Sequence, residues 1–225
     1  MIVAERKPLE QIEQMLDGFQ KILVAGCGTC VAVSMAGGEK EVEQLAAQLR
    51  IVGKLHGRQW TIDEITLTRQ CDREYLDQLA KYAGEYDAIL STACGAGVQF
   101  LAERYDDVPV LPALNTLFLG VAEGPGEWSQ RCMACGDCLL DRTGGICPMT
   151  LCAKNSLNGP CGGTNHGKCE VDGHKDCAWT LIYNKMKKLG RLDELRKIRP
   201  PKDYRTMTKP GRHTHEAFRQ SQQEE

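Results

Sequence analysis

The chain has 225 residues, of which 42% are hydrophobic and 26% are charged, and its 28 basic residues nearly balance its 30 acidic ones. This near neutrality excludes a general electrostatic attraction to nucleic acid or to an anionic bilayer. No apolar run is long enough to span a membrane or to resemble a secretory signal, so we expect a cytoplasmic protein.

The first half of the chain alternates short apolar runs with amphipathic segments. Such alternation is typical of right-handed β-α-β units. We therefore predict an α/β fold with a doubly wound, mainly parallel sheet over residues 1–124. Apolar periodicity predicts strands at 21–26, 60–68, 87–92, 108–112 and 117–122, and helices at 8–19, 37–55, 72–84 and 97–105.

The composition changes after residue 124. Between Cys132 and Cys177 lie eight cysteines, separated largely by Gly, Pro, Asn and Asp. A segment with so few apolar residues cannot order itself by burial alone, so cross-links must supply the order. We predict a small cysteine-rich, metal-stabilised module over 125–199 and an extended tail over 200–225. The module ends in an amphipathic helix at 178–189, and we expect a partner to cover the apolar face of that helix.

The chain contains 12 cysteines in all, which is far more than a protein of this size needs for packing. In a secreted protein they would pair as disulfides, but reducing compartments disfavour disulfides. Metal ligation is therefore the leading interpretation, and its ligands would be thiolates.

Four of these cysteines follow the predicted strands of the sheet. Cys27 and Cys30 lie just after the first strand, Cys71 follows the second, and Cys94 follows the third. In a sheet of order 2-1-3 the carboxyl ends of these strands are neighbours, and ligands bind outside them. We therefore predict that the four thiols form one tetrahedral metal site.

Two plainer interpretations compete for this first set. Gly26-x-Gly28 after a strand resembles a dinucleotide-binding loop, but the third glycine of that fingerprint would fall at Val31. Any one of these cysteines could also be a small buried hydrophobic residue. Four cysteines at one sheet edge favour the metal site.

The spacing Cys132-x2-Cys135-x2-Cys138 is the most specific motif of the chain. Three thiolates so spaced recur in four-iron ferredoxin-type sites, whereas zinc sites more often use separate Cys-x2-Cys pairs. The five remaining cysteines supply one closing ligand and up to four more, with their pairing open: Cys147, Cys152, Cys161, Cys169 and Cys177. We therefore expect two or three [4Fe–4S] clusters in the whole chain. Zinc in one C-terminal site is the alternative, with His166 and His174 as substitute ligands.

Several motifs in order resemble one family. The segments beginning at Cys132 (Cys-Met-Ala-Cys-Gly-Asp-Cys), Thr143 (Thr-Gly-Gly-Ile-Cys-Pro), Leu157 (Leu-Asn-Gly-Pro-Cys-Gly-Gly) and Lys175 (Lys-Asp-Cys-Ala-Trp) are similar to the C-terminal module found with methylenetetrahydrofolate reductases of bacteria and archaea. The upstream Gly-Cys-Gly-Thr-Cys, Arg-Gln-Cys and Ala-Cys-Gly segments are similar to the rest of the small subunit of the acetogen enzyme.

The resemblance implies an iron-sulfur subunit that relays electrons. In that family a barrel-shaped partner subunit binds a flavin (FMN or FAD) and the folate, and reduces methylenetetrahydrofolate to methyltetrahydrofolate in the one-carbon metabolism of anaerobes, the Wood–Ljungdahl pathway. The resemblance thus implies a complex with that flavoprotein, and an electron donor that is a ferredoxin or a further subunit. It implies no catalytic, flavin-binding or folate-binding residue in this chain.

Two other functions are compatible with the cysteines. A methyl-transfer enzyme would use a zinc-thiolate site with an open coordination position, whereas electron transfer favours closed four-cysteine sites. A structural zinc module would only join subunits, and such a protein would be colourless and redox-silent.

Overall fold

A computed structural model of the protein describes residues 1–82 and 84–218, and the chain divides into two compact units, residues 1–130 and residues 131–225. The strands of the described residues are β1 (Ile2–Arg6), β2 (Lys21–Cys27), β3 (Thr61–Leu67), β4 (Ala88–Ser91), β5 (Val110–Pro112), β6 (Leu114–Gly124) and β7 (Glu127–Cys132). The α-helices are α1 (Leu9–Met15), α2 (Cys30–Val33), α3 (Glu39–Leu55), α4 (Arg73–Leu76), α5 (Gly95–Arg104), α6 (Pro148–Leu151) and α7 (Ala178–Lys188). None of the helices in this part of the chain has the length and apolar character that crossing a membrane requires.

A parallel sheet with strand order β3-β2-β4-β5 forms the centre of the N-terminal unit. Side chains of β2 alternate between its two faces, as the period of a strand requires. Ile22 and Val24 pack with α1 and α3 on one face, whereas Leu23 and Ala25 pack with α4 and α5 on the other. Helices therefore cover both faces, and the predicted doubly wound, mainly parallel α/β fold is confirmed.

The long helix α3 begins two residues later than predicted because Gly37 is needed for a close backbone contact. A Cβ at Gly37 would lie 1.9 Å from the Thr92 carbonyl oxygen. The Gly37 carbonyl accepts hydrogen bonds from the Cys27 amide at 2.9 Å and the Thr92 hydroxyl at 3.0 Å. The helix then starts at Glu39, and the Glu41 carboxylate accepts the Gly38 amide at 3.0 Å.

The predicted helix at 72–84 is shorter than expected. Asp72 is its N-cap, as predicted, and accepts a hydrogen bond from the Glu74 amide at 3.3 Å. The helix α4 ends at Leu76 and continues as a 3₁₀ turn over Asp77–Leu79. The chain tightens there because the Ala80 amide bonds back to the Asp77 carbonyl, three residues earlier.

The strand predicted at 117–122 is real, but the prediction placed it in the wrong sheet. It lies within β6, which pairs antiparallel with β1 in a second sheet of order β1-β6-β7. The strands β1 and β7 were not predicted. β7 is mostly exposed and carries polar residues in the sequence Glu-Trp-Ser-Gln-Arg-Cys, so it lacks the apolar pattern that marks a buried strand.

The C-terminal unit has a small core of its own around α7. Trp179, Ile182 and Met186 are buried there, and Ile146, Leu192 and Leu195 pack against them. The Trp179 indole N–H donates to the Ser156 carbonyl at 2.7 Å. The turn at residues 192–196 of the same unit therefore covers part of the apolar face of α7, whereas Tyr183 on that helix and Leu189 at its C-cap remain about half exposed, so cover by a partner stays a prediction for them.

One buried amide ties the central strands together at their carboxyl ends. Gln70 is fully buried, and its side-chain N–H group donates to the carbonyls of Ala25 at 2.8 Å and Gly26 at 2.9 Å. The Ser91 hydroxyl donates to the Gln70 side-chain oxygen at 2.6 Å. Gln70 therefore joins β2 to β4 and fixes the connection that follows β3.

We predict that Gln70→Leu destabilises the N-terminal unit markedly, because it deletes three buried hydrogen bonds and leaves the Ser91 hydroxyl without this acceptor. The expected loss is about 2–4 kcal/mol of unfolding free energy. Urea denaturation measures it. Gln99→Leu, at an exposed position of α5, is the matched control and should cost under about 0.5 kcal/mol. Equal losses in the two variants would contradict the role of Gln70.

Candidate metal-binding sites

The parallel sheet places three of the four N-terminal cysteines along its carboxyl edge. Cys27 is the last residue of β2 and is buried. Cys71 is exposed and follows the end of β3 by four residues. Cys94 is the N-cap of α5, just after β4. Cys30 is the first residue of α2, in the connection that follows Cys27.

The Cys71 thiol lies near two of the other three cysteines. Partial burial raises the pKa of Cys71, and the neighbouring Cys94 and Cys27 thiolates raise that pKa further. Cys27 and Cys94 also pack in the same apolar cluster as Val31 and Ala93. The structure thus brings Cys27, Cys71 and Cys94 together at one sheet edge. Across residues 1–82 and 84–218, no three Cys, His, Asp or Glu side chains are arranged around one metal-ion position.

The glycines beside Cys27 serve strand packing. A Cβ at Gly26 would lie 2.3 Å from the Thr66 hydroxyl oxygen, so no larger residue fits between β2 and β3. Gly28 donates its amide to the Leu67 carbonyl at 2.8 Å, and a Cβ there would be 3.3 Å from the same oxygen. Close packing therefore accounts for both glycines of the Gly26-x-Gly28 pattern without a nucleotide.

The loop from Cys132 to Cys138 folds back on itself. Ala134 and Gly136 adopt positive φ angles of 53° and 74°, a conformation that glycine tolerates and alanine rarely adopts. The Ala134 amide donates to the Cys132 sulfur at 3.3 Å. The fold of the loop therefore places a backbone amide against the sulfur of a candidate ligand.

Two residues of a later segment, Lys202 and Thr206, hydrogen-bond to the Cys132–Cys138 loop. The Lys202 side chain is only 2% exposed, and its ammonium donates to the Asp137 carbonyl at 2.7 Å and lies 3.3 Å from the Asp137 carboxylate. The Thr206 hydroxyl donates to the Cys135 carbonyl at 2.9 Å. Burial lowers the pKa of Lys202, but its bonds to Asp137 and Cys135 raise that pKa by more. A buried positive charge therefore lies beside Cys135.

Cys147 and Cys152 flank the short helix α6, as its N-cap and C-cap. The Thr150 hydroxyl donates to the Cys147 sulfur at 3.5 Å, and the Ser156 amide donates to the Cys152 sulfur at 3.5 Å. Both sulfurs therefore accept a hydrogen bond from a residue within four positions along the chain.

Cys177 is the N-cap of α7 and packs, with Cys152, against the Trp179 cluster. Burial raises the pKa of Cys177, but hydrogen bonding from Thr180, Thr164 and the Trp179 amide outweighs it, so the net shift of the pKa is downward.

Cys161 and Cys169 lie near one ion pair. The Cys161 thiol donates to the Glu170 carboxylate at 3.6 Å, and Glu170 pairs with Lys154. The pKa of Lys154 is raised mainly by Glu170, and the charges of Cys161 and Cys169 also raise it. His166 and His174, the substitute ligands of the zinc alternative, are both exposed.

All twelve cysteines are free, so the donor type is that of a thiolate-ligated metal or cluster, but no three such side chains among the described residues surround a common metal position. Two supporting residues, Gln70 and Lys202, were not predicted from the sequence. Gln70 directly precedes Cys71, so an amide beside a candidate ligand was an available signal. The position of Lys202, 65 residues from Asp137, had no signal in the sequence.

Fold and sites together define a protein with a doubly wound α/β unit and a C-terminal unit rich in free thiols. Residues 111–205 match a family model described as methylene-tetrahydrofolate reductase C terminal. This segment is less than half of the chain and contains all eight cysteines of the C-terminal unit. The match supports a protein associated with methylenetetrahydrofolate reductase. No curated protein and no solved structure matches the chain.

We predict that Lys202→Met loosens the Cys132–Cys138 loop, because it removes a charge-assisted hydrogen bond to Asp137, a bond type worth about 1.5–3 kcal/mol. Hydrogen exchange of the amides of residues 134–138 should become about tenfold faster or more. Lys187→Met, on the exposed side of α7, is the matched control and should leave those rates unchanged. Unchanged exchange rates in Lys202→Met would show that the bond between Lys202 and Asp137 does not order the loop.

Proposed function

We propose that the chain is the iron-sulfur electron-transfer subunit of a methylenetetrahydrofolate reductase complex. The observation that carries the proposal is that eight of the twelve free cysteines lie inside the segment that matches the reductase C-terminal family. The motif resemblance of the upstream cysteines to the acetogen small subunit supports the same assignment.

The residues proposed to hold clusters fall into two groups. Cys27, Cys30, Cys71 and Cys94 would ligate one cluster at the sheet edge. The C-terminal unit would ligate one or two more through Cys132, Cys135, Cys138, Cys147, Cys152, Cys161, Cys169 and Cys177. When bound, iron-sulfur clusters supply one-electron transfer at potentials set by net charge, hydrogen bonding to sulfur and solvent exposure.

The protein's own contribution is to hold these sulfurs in place. The Ala134 amide, the Thr150 hydroxyl and the Ser156 amide donate hydrogen bonds to the Cys132, Cys147 and Cys152 sulfurs. The Lys202 ammonium places a positive charge beside Cys135, which favours the more negative, reduced state of a group bound there. Gln70 holds the edge that carries Cys27 and Cys71.

The proposed partner is the flavin-bearing subunit, which would bind the folate and carry out the reduction of methylenetetrahydrofolate. This chain would deliver electrons to that flavin from a ferredoxin or a further donor subunit. A cytoplasmic location is part of the same proposal.

We predict that Cys27→Ser, Cys30→Ser, Cys71→Ser and Cys94→Ser each remove the same electron paramagnetic resonance signal of the reduced, anaerobically prepared protein. The reason is that all four thiols would bind one cluster. Cys161→Ser, in the C-terminal unit, is the control and should retain that signal. If Cys71→Ser kept the signal and Cys27→Ser abolished it, the shared site would be refuted.

We predict that co-expression with a flavin-bearing methylenetetrahydrofolate reductase yields one complex containing both flavin and iron. That complex should reduce methylenetetrahydrofolate with a low-potential donor, and the flavoprotein alone should do so much more slowly. Size-exclusion chromatography and an anaerobic activity assay measure the two outcomes. Separate elution of the subunits, or equal rates without this chain, would contradict the electron-relay role.

A further inference from the structure

The C-terminal unit contains a cavity next to Cys177, because Thr164 and Thr180 line it and also hydrogen-bond to that cysteine. Its volume is about 640 Å³, within the range of small-molecule sites, and no cysteine is among its described lining residues. The loop at 157–160 forms one wall, α7 a second, and the segment at 194–199 a third. The cavity lies wholly within the part of the chain that matches the reductase family.

An unpartnered guanidinium lies in the wall. The Nε atom of Arg199 is buried and has no hydrogen-bond partner among the described residues. Leaving a buried donor unpaired costs free energy, and in folded proteins such groups usually have a partner. A ligand atom that accepts a hydrogen bond from Arg199 would supply that partner.

The charge of the cavity wall is positive. Arg142, Arg196, Lys197 and Arg199 line it together with a single carboxylate, Glu194. Lys197 pairs with Glu194 at 2.6 Å, and Arg196 pairs with Asp193 at 2.9 Å. Arg142 lies 3.7 Å from the Asp141 carboxylate. Arg199 makes no ion pair with any carboxylate in residues 1–82 and 84–218, so the wall has an unmatched positive charge.

The remaining wall has a polar part, formed by Thr143, Asn158, Thr164 and Thr180, and an apolar and aromatic part. Trp179, Tyr183, Leu157, Pro160 and Leu195 line the apolar and aromatic part. The indole of Trp179 is fixed by its bond to Ser156, whereas the Tyr183 side chain is 49% exposed and free to pack on a ligand. Flat rings pack well against Trp and Tyr, and a guanidinium pairs in a bidentate manner with carboxylate or phosphate.

We propose that this cavity binds an organic anion, whose flat ring system packs against Tyr183 and Trp179 and whose carboxylate or phosphate pairs with Arg199. This site goes beyond the proposed electron-transfer function and requires no cluster.

The test is isothermal titration calorimetry of the full chain with three probes that share one ring: 1-naphthoate, 1-naphthyl phosphate and neutral 1-naphthol. We expect one of the two anions, or both, to bind at least about tenfold tighter than 1-naphthol, as a charge-assisted hydrogen bond would give. The tighter of the two anions identifies the natural anionic group. Equal affinities for all three probes, or no binding of either anion, would overturn the proposal.

Two variants separate the recognition of the anion from the recognition of the ring. Arg199→Gln should weaken the preferred anion about tenfold or more and leave 1-naphthol unchanged. Tyr183→Ala should weaken all three probes. Arg58→Gln, at an exposed position of the N-terminal unit, is the matched control and should change none of them. Unaltered anion binding in Arg199→Gln, with an unchanged thermal midpoint, would also overturn the proposal.

Discussion

The parallel register of β2, β3 and β4 is the constraint on which the N-terminal site depends. Because the three strands run in one direction, the connections after Cys27, Leu67 and Ser91 all leave from the same edge. Chain direction alone thus gathers cysteines that lie far apart in sequence. Gln70 makes the arrangement rigid, since its amide bonds to β2 and accepts from β4 directly beside Cys71.

The C-terminal unit reaches order by other means. Its apolar side chains are few, and those of α7 pack inward against Ile146, Leu192 and Leu195. A later segment holds the Cys132–Cys138 loop in place, because Lys202 and Thr206 donate hydrogen bonds to the carbonyls of Asp137 and Cys135. A bound cluster would add covalent cross-links to this framework, which is the physical role that metal sites play in small domains.

The sequence predicts the parts of this protein that repeat a simple pattern. The apolar runs at 21–26 and 87–92 predict buried parallel strands, since such strands are covered on both faces. The polar strand β7 has no such pattern, and the short strand β1 is ordered by its pairing with β6, more than 100 residues away. Pairing between segments that are distant in sequence determines that both strands form, and no local sequence pattern predicts such pairing.

The candidate sites likewise have parts that local sequence predicts and parts that depend on long-range contacts. Cysteine spacing predicts which thiols lie at the sheet edge, because strand order and strand direction follow from general rules. The contribution of Lys202 depends on a contact across 65 residues, and the Arg199 cavity depends on how three segments of the C-terminal unit pack. Single-residue chemistry is readable from sequence, but long-range packing requires the structure.

Anaerobic metal and sulfide analysis of the purified chain decides whether its thiolates hold iron-sulfur clusters. We expect iron and acid-labile sulfide in equal amounts, at a level that corresponds to two or three four-iron clusters per chain, because each such cluster takes four of the twelve thiolates. A colourless protein that holds zinc without sulfide would contradict this expectation.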